Sequence, residues 1–422
     1  MTREPRTTLL SRMADRPQLR PFRIRDFRYL WAGFAVSLLG DGMMFVALPW
    51  LVLSMSNTAT ALASIGVVMA LAALPAALVA GALVNRFGAR RVMLAGDLCR
   101  AVTLAALGLL GMAGLLNGWL LLCGLALFSA AEAVFVPAFA TMVQSLVPPE
   151  HLVGANSADQ AIRPLMWRLV GPVAGGALVA NYSADWVLLL DAGTFVVSFL
   201  FLLRVGAERD PGPGDGANLL ADGLGGWRYA WRHRWLLYAF SAGAVAVVCV
   251  MGPWNVLVPY VLRNEVGGGA EMYGLVLAVG GVGQVAGALL VGGRPLDRRT
   301  LPLLYLAWGV MAGGLAGFAV HSSPWPALAG SFVINAALAV STVLWGALLQ
   351  SAVPRDQVAR VFGIDWALSQ VLVPISYSVA GALADTTSTR TALLVAAVGG
   401  LVCVPAMLIV KSARRMPEVR GV

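Results

Sequence analysis

Apolar residues fill this chain in long unbroken runs, and polar residues are confined to short gaps between them. The runs lie at about 28–54, 59–84, 92–115, 118–147, 157–180, 185–204, 235–262, 271–292, 301–320, 325–350, 361–384 and 390–410. A helix that crosses the hydrocarbon core needs about 20 mostly apolar residues, and each run supplies roughly that length. Backbone in lipid must satisfy its own hydrogen bonds, so only helices or closed barrels cross. The runs lack the alternation of barrel strands. The pattern predicts an all-α membrane protein with twelve transmembrane helices.

The polar gaps differ in charge. The segment up to and including the first residue of the first run carries eight arginines, from Arg3 to Arg28. Gaps on the same side carry Arg86, Arg90 and Arg91, then Arg204, Arg209, Arg228, Arg232 and Arg234, then Arg294, Arg298 and Arg299, then Arg355 and Arg360. The tail adds Lys411, Arg414, Arg415 and Arg420, whereas the opposite side holds only Arg263 and Arg390. Positive charge marks the cytoplasmic side, so both termini are expected there, which requires an even number of spans. The full-length apolar run after the Arg-rich start reads as a retained first helix rather than a cleaved signal.

An internal repeat organises the runs. Val79-Ala-Gly-Ala-Leu83 recurs as Val285-Ala-Gly-Ala-Leu289, Gln144-Ser-Leu-Val-Pro148 as Gln350-Ser-Ala-Val-Pro354, and Val173-Ala-Gly175 as Val379-Ala-Gly381. Asp159 matches Asp365, and every pair is 206 residues apart. Several matches in one register imply two parallel six-helix repeats, the arrangement from which alternating access by rocking follows. The expected divisions are a cytoplasmic segment 1–27, bundles 28–205 and 235–410, a Gly/Pro/Asp-rich linker 206–234, and a cytoplasmic tail 411–422. The aromatic and basic stretch Trp227–Arg232 suits an interfacial helix.

Composition agrees. Of 422 residues, 59% are hydrophobic and 12% charged, against about 25% charged in soluble domains, which excludes an ordinary soluble enzyme. The net charge of +9 sits in the loops, so topology explains it better than nucleic-acid binding. Cys99, Cys123, Cys249 and Cys403 lie within apolar runs without metal or pairing spacing, as small buried hydrophobes do. His151, His233 and His321 are isolated in loops. No metal centre and no cofactor are expected. Gly281-Val-Gly283-Gln-Val-Ala-Gly287 lies inside a span without a preceding strand, so it is a helix-packing face of small residues rather than a nucleotide loop. The same holds for Gly171 and Gly175. Without a phosphate-binding loop, ATP is not expected to drive the protein directly.

The gap after the second run, Gly81-Ala-Leu-Val-Asn85-Arg86-Phe-Gly88-Ala-Arg90-Arg91, resembles the signature loop of the major facilitator superfamily, with Asn85 in place of the usual acid. Gly171-Pro172-Val-Ala-Gly175-Gly176 resembles the core of the motif of drug–proton antiporters. Phe27-Arg-Tyr-Leu-Trp31, Ser37-Leu-Leu-Gly-Asp41, Ala47-Leu-Pro-Trp50 and Val147–Asn156 are similar to the branch of macrolide-efflux and siderophore-exporter proteins, the transmembrane secretion effectors. The resemblance covers essentially the whole chain. It implies that the signature loop latches one state against the start of the eleventh span, where Asp365 lies, and Asn85 takes one charge from that latch. Read without the family, Gly81 and Gly88 permit close packing and a tight turn. The arginines cap helix C-termini, pair with acids, or serve only as topology determinants.

The resemblance also implies a central cavity lined by the first, fourth, seventh and tenth spans, so Asp41 and Glu132 share it. Charges within spans are expensive and mark function by default; these two are the candidates for proton or substrate coupling, against a structural hydrogen-bonding role. Arg168 is a possible partner for Glu132 or for an anionic substrate. Asp97 with Arg100, and Asp159 with Arg163, have the spacing of helix-surface ion pairs. Asp191 is expected to be structural on a peripheral span. Phe128, Phe135, Phe139 and Trp345 could meet an apolar substrate or simply pack. Pro49, Pro137, Pro253 and Pro259 are expected to kink cavity helices.

The expectation is a secondary active exporter of an amphipathic small molecule (drug, macrolide-like compound or siderophore) in exchange for protons, working as a monomer in a bacterial cytoplasmic (inner) membrane. Its partners are then the substrate, protons and the bilayer, with no nucleic acid and no enzymatic chemistry. An importer or uniporter of the same fold, and a non-transporting membrane sensor or scaffold, are the alternatives.

Overall fold

The computed structural model describes residues 17–148, 151–206, 228–292, 296–320 and 323–409. Most of the expected linker, the first 16 residues, His321 and the tail from 410 onward lie outside the described residues. After a short 3-10 turn (Pro17–Arg23), the helices are α1 (Arg25–Met55), α2 (Ala59–Phe87), α3 (Ala89–Met112) and α4 (Gly118–Leu146). Then come α5 (Leu152–Pro164), a π-helical turn (Leu165–Val170), α6 (Gly171–Asn181) and α7 (Ala184–Leu203). The second half has α8 (Arg234–Gly252), a π-helical turn (Pro253–Leu257), α9 (Val258–Asn264), α10 (Ala270–Val291) and α11 (Thr300–Gly313). It closes with α12 (Trp325–Ala352), α13 (Arg355–Thr386) and α14 (Thr389–Ala406).

Eleven stretches among the described residues are long and apolar enough to cross a membrane, so the chain is a multi-pass, all-helical membrane protein. The run expected at 157–180 is helical in three pieces, Leu152–Pro164, Leu165–Val170 and Gly171–Asn181, rather than one uniform α-helix. Both π turns adjoin a proline, Pro164 and Pro253, whose missing N–H breaks the regular ladder of hydrogen bonds.

Local chemistry sets the ends. The Asn117 side chain accepts from the Leu120 N–H and Ser388 Oγ from the Thr391 N–H, capping α4 and α14. Between α2 and α3 the chain turns on Gly88 alone, at φ 82° and ψ 146°, a conformation that side chains avoid. Gly81 has open space where a Cβ would project, so of the two signature-loop glycines only Gly88 makes a tight geometry.

The chain divides into two compact units. The first comprises Met1–Met44, Ala72–Gly171 and Asp185–Asp215; the second comprises Phe45–Leu71, Pro172–Ala184 and Gly216–Val422. The first is held by a core of Phe27, Leu30, Phe34, Met93, Phe135, Phe139 and Met142 with their neighbours. Phe34 stacks on Phe139 at 4.1 Å. Helices α1 and the π turn cross at Gly42 and Gly171: a Cβ on Gly171 would fall 2.7 Å from the Gly42 Cα. In the second unit, Gly280, Gly283 and Gly287 of α10 lie against Asn335, Phe332 and Ala336 of α12, the small-residue packing expected for that segment. Ser331 Oγ also donates to the Val276 carbonyl at 2.5 Å.

Within the second unit the end of α1 and the start of α2 pack on C-terminal helices. Asn57 and Asn264 exchange amide hydrogen bonds at 3.0 Å, and Thr60 bonds Asp385 through its hydroxyl and its N–H. Arg263 donates to the Trp50 carbonyl at 2.9 Å, and the Trp50 ring stacks on Tyr273. The Pro172 carbonyl and Gly176 abut Gly274.

Gly118–Leu146 displaced by 206 becomes 324–352, and α12 is Trp325–Ala352. Arg25–Met55 becomes 231–261, beside the span Arg234–Asn264.

Candidate functional site: a buried charge cluster and an aromatic cavity

Helix α3 buries one face built from Met93, Asp97, Arg100, Leu104 and Leu107, a spacing of three and four. Asp97 and Arg100 therefore point into the first unit. Their ion pair is 2.7 Å long, with side-chain exposures of 0% and 3%. The expected pair exists, but it lies in the interior and not on a helix surface. Ser198 of α7 donates to the second Asp97 oxygen at 2.7 Å. The Arg100 guanidinium lies between two rings, 4.2 Å from Phe135 and 4.2 Å from Phe195, a stacked geometry suited to its flat, weakly hydrated cation. Its Nε has no hydrogen-bond partner.

Three further acids lie within electrostatic reach of Arg100: Asp41, Glu132 and Asp191. Asp191 of α7 is fully buried; Thr194 Oγ1 donates to one carboxyl oxygen at 2.8 Å, and the other oxygen has no partner. The carboxyl abuts Gly40 so closely that a Cβ there would overlap it, which seats Asp191 against α1 beside Asp41. Asp41 and Glu132 are partly exposed, and Asp41 Oδ1 is unpaired. The structure thus brings Asp41, Glu132, Asp97, Arg100 and Asp191 into one electrostatic neighbourhood.

Glu132 has Arg100 and Arg163 within reach. Arg163 is half-exposed, pairs with Asp159 at 3.1 Å and lies over the Phe34 ring. Arg168 sits in the π turn with its guanidinium 5.1 Å from the Trp167 ring. In the signature loop, Asn85, Arg86 and Arg91 are exposed. Arg90 donates to the carbonyls of Leu202 and Leu203, capping the C-terminal end of α7.

The second unit contains a cavity of about 470 Å³ among α8, α11, α12 and α13. Phe240, Trp308 and Trp345 wall it, with Met251 and Met311 beside them, and among the described residues Asp365 is its one ionisable lining residue. Trp345 Nε1 donates to Asp365 Oδ2 at 3.0 Å. Of the antiporter-like glycines, Gly171 makes the α1 crossing and Gly176 meets Ala270 of α10; Gly175 is buried.

The sequence names Asp97, Arg100 and Asp191, but spacing within one helix does not show that they meet in the interior of the first unit. The repeated spacing of polar groups with large residues (Met93, Asp97, Arg100) was the available signal.

Comparison with known proteins supplies the family. Residues 17–419 match the model described as transmembrane secretion effector. The multidrug efflux pump Tap of Mycolicibacterium fortuitum is 27% identical over 84% of this chain and 88% of its own length. Macrolide efflux protein A of Streptococcus pyogenes is 21% identical over 85% and 89%. The crystal structure of a nucleoside transporter, NupG, superposes with a TM-score of 0.69 at 13% identity, over 89% of this chain and 99% of that one; this likeness concerns the fold.

Proposed function

The chain belongs to the transmembrane secretion effector family of major facilitator transporters, and on that premise we propose that it exports an amphipathic small molecule in exchange for protons. It is a membrane transporter and not an enzyme; the coupling, the cargo and the direction are the proposal. One observation carries it: two partly exposed acids, Asp41 and Glu132, share a membrane-embedded neighbourhood with Arg100 and two fully buried acids. An apolar interior does not tolerate carboxylates in excess of the guanidinium groups near them, here Arg100 and Arg163. Some of them therefore hold protons, and Asp41 and Glu132 are open enough to load and release them, or to meet a cationic cargo. Export as the direction is supported by the efflux relatives.

The segment 152–181 counts in this reading as the twelfth span, giving two six-helix repeats in the 206-residue register. In this reading the protein lies in the inner membrane, and the arginine asymmetry supports cytoplasmic termini. Gly81, Asn85, Arg86, Gly88, Arg90 and Arg91 act as the conformational latch, weakened at Asn85. Gly171, Pro172, Gly175 and Gly176 let helices approach during the transition, and Arg168 tunes the charge of the substrate path. The transporter works as a monomer.

The test is a retention screen of a deletion strain across lipophilic antibiotics and siderophores. Wild type lowers retention of at least one compound, and Glu132→Gln expressed at the same level does not. Identical retention with wild type and empty vector across the panel, or full restoration by Glu132→Gln, overturns the proposal.

A further inference from the structure

In the first unit the start of α1 and the end of α7 sit side by side. The two helices cross where a Cβ on Gly33 would fall 3.2 Å from the Phe201 Cβ and the Ser198 Cα. One turn earlier on α1, the Tyr29 ring lies 6.0 Å from the Phe201 ring. This contact gathers two cations. The guanidinium groups of Arg25, which opens α1, and Arg204, just past α7, both lie within hydrogen-bonding reach of the Tyr29 hydroxyl. Both arginine side chains are exposed.

Two like charges around one neutral phenol need a reason. Capping of α7 does not supply it, because Arg90 already donates to the Leu202 and Leu203 carbonyls. Neighbouring acids do not supply it either. Residues 17–30 carry Arg20, Arg23, Arg25 and Arg28 against Asp26 alone, and one Asp26 oxygen accepts from the Gly206 N–H at 3.2 Å. Val197 and Leu200, seven and four residues before Arg204, share its side of α7 and are exposed. In a membrane protein such an apolar stripe meets lipid tails.

These features together select the ligand. A phosphodiester with a net negative charge matches the flat, forked guanidinium groups. A tyrosine at a helix end suits the depth of lipid headgroups, and basic pockets between spanning helices hold anionic headgroups. A zwitterionic headgroup would bring its own ammonium against the arginines, and a soluble anion would leave the apolar stripe uncovered. We propose that Arg25, Arg204 and Tyr29 bind the headgroup of an anionic phospholipid where α1 and α7 meet, with Val197 and Leu200 against an acyl chain. The site is independent of the cargo and the coupling proposed above.

Native mass spectrometry of the purified full-length protein in detergent tests this, with phosphatidylglycerol and phosphatidylcholine of identical acyl chains added in equal amounts. Wild type retains the anionic lipid at least about fivefold more than the zwitterionic one. The double variant Arg25→Gln, Arg204→Gln retains the two within about twofold of each other. Arg25→Lys, Arg204→Lys stays within about threefold of the wild-type ratio, which shows that charge and not the fold was altered. Arg298→Gln, Arg299→Gln removes the same charge from two exposed residues of the second unit and leaves the ratio unchanged. The water-soluble headgroup glycerophosphoglycerol, at the same concentration, leaves no retained adduct. Equal retention of the two lipids by wild type overturns the proposal, as does a wild-type ratio in the Gln variant or its loss in the Lys variant. So does an equal loss in the Arg298, Arg299 variant, which would assign the preference to net charge, or a soluble headgroup retained as well as the lipid.

Discussion

Replacing Arg100 by methionine removes the only cation paired with Asp97 and keeps a long apolar side chain between Phe135 and Phe195. The pair is 2.7 Å long and almost wholly excluded from solvent. Removing one partner of a buried pair costs about 3–5 kcal/mol, because the other charge is left uncompensated. Loss of two cation–ring contacts at 4.2 Å adds roughly 0.5–2 kcal/mol each, part of which the methionine sulfur recovers against the rings. A net loss of at least about 3–5 kcal/mol is expected. Asp97→Asn retains an acceptor for Ser198 and costs less, about 1–3 kcal/mol. Because the two side chains share one contact, the double variant is less damaged than the sum by about 1–3 kcal/mol. Reversible unfolding in mixed micelles of SDS and mild detergent measures all three. An Arg100→Met protein within about 1 kcal/mol of wild type, with coupling below about 0.5 kcal/mol, would refute the placement of this pair at the centre of the first unit.

Other substitutions test the packing. Gly88→Ala forces a side chain into a backbone conformation suited to glycine and costs about 1–3 kcal/mol, whereas Gly81→Ala, with open space around it, changes stability by no more than about 0.5 kcal/mol; the same unfolding assay separates them. Gly287→Leu drives a side chain into the Ala336 backbone of α12 and costs about 1–3 kcal/mol or more, read as a lower thermal midpoint in detergent. Arg90→Gln removes two bonds to the end of α7 and costs about 0.5–1.5 kcal/mol, with faster amide exchange near Leu202 and Leu203 as its signature.

Eleven of the twelve expected runs are long apolar helices among the described residues, legible because a membrane demands such runs, whereas the run at 157–180 is broken by a π-helical turn. The Asp159–Arg163 pair and the glycine face of α10 were equally readable, since each depends on spacing within one helix. Interior polarity was harder. In lipid the outside of a helix is apolar, so charges such as Asp97, Arg100 and Asp191 within spans argue for the interior, but only the neighbouring helices show their partners, Ser198, Phe135 and Phe195. The cavity at Asp365 draws on four helices distant in sequence, and no local pattern announces it. Conversely, Gly81 and Gly88 look alike as sequence, and only the backbone at Gly88 shows which one turns the chain.

The central claim is exchange of a small molecule against protons through the carboxyls of the first unit. Everted membrane vesicles with an imposed pH gradient and no ATP test it, using the compound that the retention screen identifies. Wild-type vesicles accumulate the compound only while the gradient persists, and Glu132→Gln vesicles do not. Uptake at the same rate after the gradient is collapsed would contradict the account.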